Sequence, residues 1–359
     1  MSTRERPEVV GTQAGLAAVA SAESQGELGI VEPEVRARGY WEQVWIRFKR
    51  DKVAIASGIC IILLIGVAVI GGPIAKHFVG HGPNDINLAA GSHGVDATPV
   101  GPMARVHCKD FALPVPGCHG TQLYVLGASD QLGRDEFLRL LYGARVSLEV
   151  AILATLGVMV IGVILGTIAG FYRGWADTAI SRVIELTMVF PALLFIIALS
   201  ATVGPRLNNI TFGVFVPGTV TLVLVFAIFG WFYPARIMRA QVLSLREKEF
   251  VEAARMVGAS DSRIMRSHII PHLIAPIIVY STLTVATYIL LEAGLSFLGL
   301  GIDPSHASWG NLLSTGPTYY LTQPWLMVWP GLVILMTTLA FNLLGDGLRD
   351  AFDPRSSGH

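Results

Sequence analysis

The chain has 359 residues, of which 52% are hydrophobic and 14% charged, where an ordinary soluble domain carries about 25% charge. Its 26 basic residues balance 26 acidic ones, so no global field recruits nucleic acid or an anionic surface. Three cysteines are too few to build a disulfide-stapled domain, and the composition assigns the chain to a lipid bilayer.

Residues 1–38 mix Glu, Arg, Gly, Ala and Ser without a sustained apolar run. They read as a flexible cytoplasmic tail, too poor in apolar surface to offset the entropy of ordering. The small-residue run at 14–22 is no secretory leader, because no basic segment adjoins a Leu-rich core. Residues 39–72 read as a cytoplasmic approach and a first transmembrane helix at 53–72, which contains Cys60.

An extracytoplasmic loop follows at 73–131, rich in Gly, Pro and His. At 132–145, Phe137, Leu140 and Leu141 recur at helical spacing with Arg on the other positions. Two readings stay open there, a helix lying along the interface or an extension of the next span.

Five further apolar runs, at 148–171, 183–203, 214–233, 275–299 and 326–345, sit within a core of 132–352, and 353–359 form a C-terminal tail. None alternates apolar with polar positions, which argues for helices over barrel strands. The expected fold is an all-α polytopic membrane protein of about six transmembrane helices. Gly157, Gly162, Gly166, Gly170 and Pro191 mark kinks or close helix contacts. Glu149 and Glu185 lie near span ends. Glu292 is deeper, and either lines a pore or bonds a neighbouring helix.

Orientation follows the basic residues. Arg47, Lys49, Arg50 and Lys52 precede the first span, Arg173 and Arg182 bound the second connection, and Arg236, Arg239, Arg246, Lys248, Arg255, Arg263 and Arg266 fill the fourth. The fifth connection, 300–325, has none. Both termini are therefore expected in the cytoplasm; Arg134, Arg139 and Arg145 fit poorly, but they end a loop too long for the rule to govern.

The cytoplasmic segment 241–271 is long for an otherwise economical membrane protein. Phe250, Ala253, Ala254 and Val257 recur at i, i+3, i+4 and i+7, with acidic residues before Arg255, which predicts a short amphipathic helix. Gly258 supplies a left-handed stop, and Ser260 with Asp261 can cap a second helix running toward Pro271. Small Ala253 and Ala254 would admit a partner, with Phe250 and Val257 as anchors and Glu252 as a polar contact. The alternative is a helix packed on its own membrane domain.

In the outer loop, Cys108 and Cys118 could close a disulfide in an oxidising compartment; flanking His107 and His119, with His77, His81 and His93 nearby, leave a metal cluster as the alternative. No lysine follows a glycine, so the chain has no Walker A loop, and neither Gly-x-Ser-x-Gly nor His-Glu-x-x-His occurs. The chain is therefore not expected to be an enzyme. An ion-coupled secondary carrier would show inverted repeats with paired broken helices, and no convincing repeat is present.

The motif Glu252-Ala253-Ala254, then Gly258 and Pro271, resembles the EAA loop of ATP-binding-cassette (ABC) importer permeases. The likeness extends to Arg47-Phe-Lys-Arg-Asp-Lys, Asp130-Gln-Leu-Gly-Arg-Asp, Leu141-Tyr-Gly-Ala-Arg-Val-Ser, Leu295-Ser-Phe-Leu-Gly-Leu-Gly, Ser308-Trp-Gly-Asn and Gly345-Asp-Gly-Leu-Arg-Asp. Together these resemble the C-type permease of dipeptide and oligopeptide importers, a type that nickel importers share. His268 and Ile270 depart from the general EAA pattern, and the outer loop is longer than usual. The resemblance implies a type I permease fold, half of a peptide pathway, and a location in the bacterial inner membrane. It also implies a B-type permease partner, two ATPase subunits that carry the ATP and Mg, and an extracytoplasmic solute-binding protein.

Overall fold

The computed structural model describes residues 39–91, 98–107, 121–189, 191–208 and 215–353. The predicted tail at 1–38 and both loop cysteines, Cys108 and Cys118, lie outside the described residues, as do His93 and His119. The chain divides into two compact units, Met1–Val44 and Trp45–His359. Of the first, the described residues are Gly39 and the opening turn of α1, Tyr40–Phe48.

In the second unit, α2 runs over Lys52–Val79. Asp51 caps it, its Oδ1 accepting from the amides of Val53 at 2.8 Å and Ala54 at 3.1 Å. The helix passes the predicted stop at 72, because a π turn at Val67–Gly71 absorbs the Gly-Gly-Pro sequence and Pro73 falls in the first turn of the next segment, where no amide is needed. Gly80, at φ 80°, ends it.

The outer segment holds α3, Leu88–Gly91, and a small antiparallel pair, β1 Ala104–His107 with β2 Thr121–Tyr124. Their core is Ala89, Ala90, Val100, Val106, Tyr124 and Ala128. This sheet is an addition to the all-α expectation.

Helix α4, Glu136–Tyr172, is one unbroken rod of 37 residues, about 55 Å at 1.5 Å per residue. The segment around Phe137 and Leu141 is thus an extension of the span. Asp135 caps α4 through the Leu138 amide, and its other carboxyl oxygen meets buried His81 Nε2 at 2.9 Å.

The predicted third and fourth spans are bent pairs. Helix α5, Gly174–Val189, and α6, Ala192–Asn208, meet at 84° across Pro191, while α7, Thr219–Gly230, and α8, Phe232–Arg246, meet at 42°. Among the described residues, four helices are by themselves long and apolar enough to cross a membrane, and counting each bent pair as one span gives up to six.

After α9, Glu249–Met256, α10 runs over Asp261–Phe297 with a π turn at Met265–Ile269, followed by α11, Trp309–Tyr319, and α12, Trp325–Phe352. The main core joins α4, α7, α10, α11 and α12 around Phe226, Tyr288, Ile289, Trp309 and Phe341.

The glycines of α4 mark close approach. A Cβ on Gly162, Gly166 or Gly170 would lie 2.7 Å from Pro234 Cβ, 2.5 Å from the Ala235 carbonyl oxygen or 2.8 Å from that of Arg239. Spaced four apart, they form a flat strip against which α8 lies.

Candidate functional site

Helix α9 has one face packed on the body of the chain and the opposite face exposed, and that exposed face carries large apolar side chains. Val251 is fully buried and joins a cluster with Phe171, Met238, Val242, Ile264, Ile269 and Leu273, against which Phe250 and Ala254 also pack. Phe250 stacks on His272 at 5.0 Å and 11°. Glu249, Glu252, Ala253, Met256 and Val257 are all exposed and recur at i, i+3, i+4, i+7 and i+8, a single stripe along the helix. Met256 is 83% and Val257 89% exposed, although each is a residue that normally seeks cover.

This corrects one expected grouping. Phe250 and Ala254, at the edge of the face, are half-buried and pack against the cluster of Val251, while Ala253 and Val257 are exposed. The outward face instead gains Met256 and Glu249.

The turn after α9 is a Schellman stop. Gly258 adopts φ 84°, its amide donates to Arg255 O at 2.9 Å, and the Ala259 amide reaches Ala254 O at 3.0 Å. A Cβ on Gly258 would meet nothing within 4 Å, so the glycine is needed for its backbone angle alone. Ser260 is extended and precedes the first turn of α10, but its hydroxyl makes no cap bond. Pro271 lies inside α10, just past the π turn where regular α-helix resumes at Ile270, and is exposed.

Three contacts lash this corner to the end of α4. The Arg246 guanidinium donates to the Phe171 carbonyl, Arg173 pairs with Glu247, and Arg255 lies 5.6 Å over the Phe171 ring. Arg173 takes φ 54°, unusual for a side-chain-bearing residue. Next to it, Arg239 grips Asp177 with two parallel bonds, Nη2 to Oδ2 at 2.8 Å. The stripe is therefore carried on a mount tied to the end of α4.

Glu292 is fully buried within α10. Its Oε1 accepts from Ser296 at 2.7 Å, and the hydroxyls of Ser147 and Ser308 lie against the carboxyl. Of the two readings for Glu292, this burial favours the helix contact. Among the described residues no group of three or more His, Cys, Asp or Glu is placed to hold a metal. His77 lies against Phe78, His81 bonds Asp135, and His107 reaches Thr121 on the neighbouring strand.

Comparison with known proteins meets this geometry from another direction. The family described as the binding-protein-dependent transport system inner membrane component matches residues 162–358, and the N-terminal transmembrane domain of oligopeptide transport permease C matches residues 39–91. The chain belongs to the binding-protein-dependent transport system inner membrane component family, a family of multi-pass membrane permeases. The dipeptide transport system permease protein DppC of Alkalihalophilus pseudofirmus is 42% identical over 227 residues, 63% of this chain and 71% of that protein. The glutathione transport system permease protein GsiD of Pectobacterium atrosepticum is 36% identical over 315 residues, 88% of this chain and 91% of its own. Among solved structures, the MetNI methionine ABC transporter aligns at a TM-score of 0.45 and 16% identity, over 60% of this chain and 97% of that one.

Proposed function

We propose that this chain is the transmembrane subunit of a peptide-importing ABC transporter in the bacterial inner membrane, both termini cytoplasmic, and that α9 is the handle its ATPase grips. The observation that carries the reading is the exposed stripe of Glu249, Glu252, Ala253, Met256 and Val257. Ala253 lets a partner backbone come close, Met256 and Val257 are the anchors, and Glu252 sets orientation. Phe250 and Ala254 serve from behind, fixing the stripe to the body. The substrate class follows from relatives named for dipeptide and glutathione transport.

Driving such a subunit between two access states from 1:99 to 99:1 takes about 5.5 kcal/mol of differential interaction. With no Walker A lysine in this chain, that energy comes from ATP and Mg on partner ATPases. A second, B-type permease supplies the other half of the pathway, and an extracytoplasmic binding protein delivers the peptide. Purification of the chain from its native membrane tests this. Two ATPase subunits and a second permease should accompany it, and Glu252→Lys should strip the ATPases while leaving the second permease bound. Retention of the ATPases by that variant would contradict the handle.

A further inference from the structure

The motif residues between Leu295 and Asn311 take no part in the coupling corner, and they fold at the other end of α10, roughly 50 Å away along the helix. A cavity of about 340 Å³ opens there, walled by Ser200 of α6, Gly218 and Thr221 at the start of α7, and the loop 299–304. That volume suits part of a small organic molecule rather than a bare ion. Gly218 keeps the wall thin: at φ 99°, a Cβ on it would stand 2.5 Å from the Gly301 carbonyl oxygen.

Two side chains here are unexplained by the fold. Ser200 and Thr221 are 7% and 3% exposed, and neither hydroxyl finds a hydrogen-bond partner among the described residues. Thr284 and Thr287 on α10, by contrast, donate to carbonyls of their own helix. A buried hydroxyl left unpaired calls for a missing partner. Among the described residues, the only charged one in the lining is Asp303, whose Oδ1 also stands 4.0 Å from His306 Nδ1. Its Oδ1 accepts from the Ser305 amide at 2.8 Å and from the Ser305 hydroxyl, which chiefly holds the carboxyl below its usual range, so it is ionised at neutral pH. Close by, Arg134 binds the Pro304 carbonyl, but its charge is matched by Asp130.

We propose that this pocket receives the free ammonium terminus of the peptide as it enters the pathway, with Asp303 as counter-charge and Ser200 and Thr221 as acceptors. An ammonium carries three donors and no acceptor, and the pocket offers one carboxylate and two uncommitted hydroxyls. Asp303 itself is exposed, so the discrimination rests on the buried hydroxyls of Ser200 and Thr221, which a ligand lacking the ammonium donors leaves unpaired. The inference rests on the peptide-import reading above.

The test uses the complete transporter in proteoliposomes with its binding protein filled by either of two peptides, trialanine or its des-amino analogue. Uptake of each is normalised to measured receptor occupancy. The wild type favours trialanine; Asp303→Asn and the Ser200→Ala/Thr221→Val pair lower that preference roughly tenfold, while Asp303→Glu retains it. A preference unchanged in both variants, or an equal loss for both peptides, overturns the proposal. So does a des-amino peptide ending in lysine that is carried as well as trialanine, because the terminus would then not be what is read. A wild type that carries no peptide at all overturns the import reading itself, a result distinct from carriage without discrimination.

Discussion

The guanidinium of Arg246 donates to the main-chain carbonyl of Phe171, joining the end of α8 to the last turn of α4. That carbonyl is among the four a helix leaves unsatisfied at its C-terminus, and a cation there also complements the helix dipole. The bond makes the mount of α9 one body with a 37-residue rod whose far end carries Asp135 and the outer loops.

Replacing Arg246 with Met should keep most of the packing of the side chain and remove the bond. With Arg246 partly exposed, the loss is about 1–2 kcal/mol, felt as local opening rather than global unfolding. Hydrogen exchange over 249–259 should speed up roughly tenfold while the spans stay protected. Unchanged exchange there would mean that the mount does not depend on this contact.

Val257→Asp should reduce ATPase association at least thirtyfold, the equivalent of about 2 kcal/mol, without affecting membrane insertion, because the side chain touches nothing in its own chain that needs it apolar. Ala254→Asp should act differently. It places a charge against the cluster of Phe171 and Val251, and should loosen α9 even in the isolated subunit. Binding measurements with ATPase, alongside exchange measurements without it, separate the two.

At Gly258 the backbone angle is the requirement, so Gly258→Asn, which tolerates φ 84°, should be milder than Gly258→Val, costing about 1–2 kcal/mol in the turn. Equal effects of the two on the thermal stability of the isolated subunit would show that space, not conformation, is limiting.

Gly166→Leu should be among the most damaging single changes in the membrane region, because a Cβ there already stands 2.5 Å from the Ala235 carbonyl and 2.9 Å from Met238 Cβ. Spreading α4 from α8 should cost about 2–3 kcal/mol or more and lower the yield of folded protein. Gly66→Ala is the control, since a Cβ at Gly66 meets nothing within 4 Å. Its melting temperature in detergent should match the wild type or rise slightly.

Much of this architecture is legible in the sequence because a bilayer imposes a simple length requirement, and the runs beginning near Val53, Leu148, Ala275 and Leu326 meet it without interruption. The two bent pairs were harder. Proline at 191 announces a break but not its 84° angle, and the 42° bend after Gly230 has no proline to announce it; that glycine leaves room for the Tyr288 hydroxyl, which a Cβ there would meet. The stop at Gly258 was readable from its residue type. The outward face of α9 was not fully readable, because apolar residues held for a partner look the same as those held for the core. Phe250 and Val257 share a hydrophobic pattern and one flank of the helix, yet Phe250 packs on the body while Val257, at the C-cap, stands exposed. Nothing in the spacing of Ser200, Thr221 and Asp303 links them in sequence; only the fold brings them to one cavity.

The most direct measurement is thiol labelling of Val257→Cys in a cysteine-free chain, within sealed vesicles of known orientation. A membrane-impermeant maleimide should label it rapidly from the cytoplasmic side in the subunit alone, and at least tenfold more slowly once the ATPases are bound. Labelling from the outer side, or labelling that the ATPases leave unchanged, would contradict the assignment of α9 as the handle.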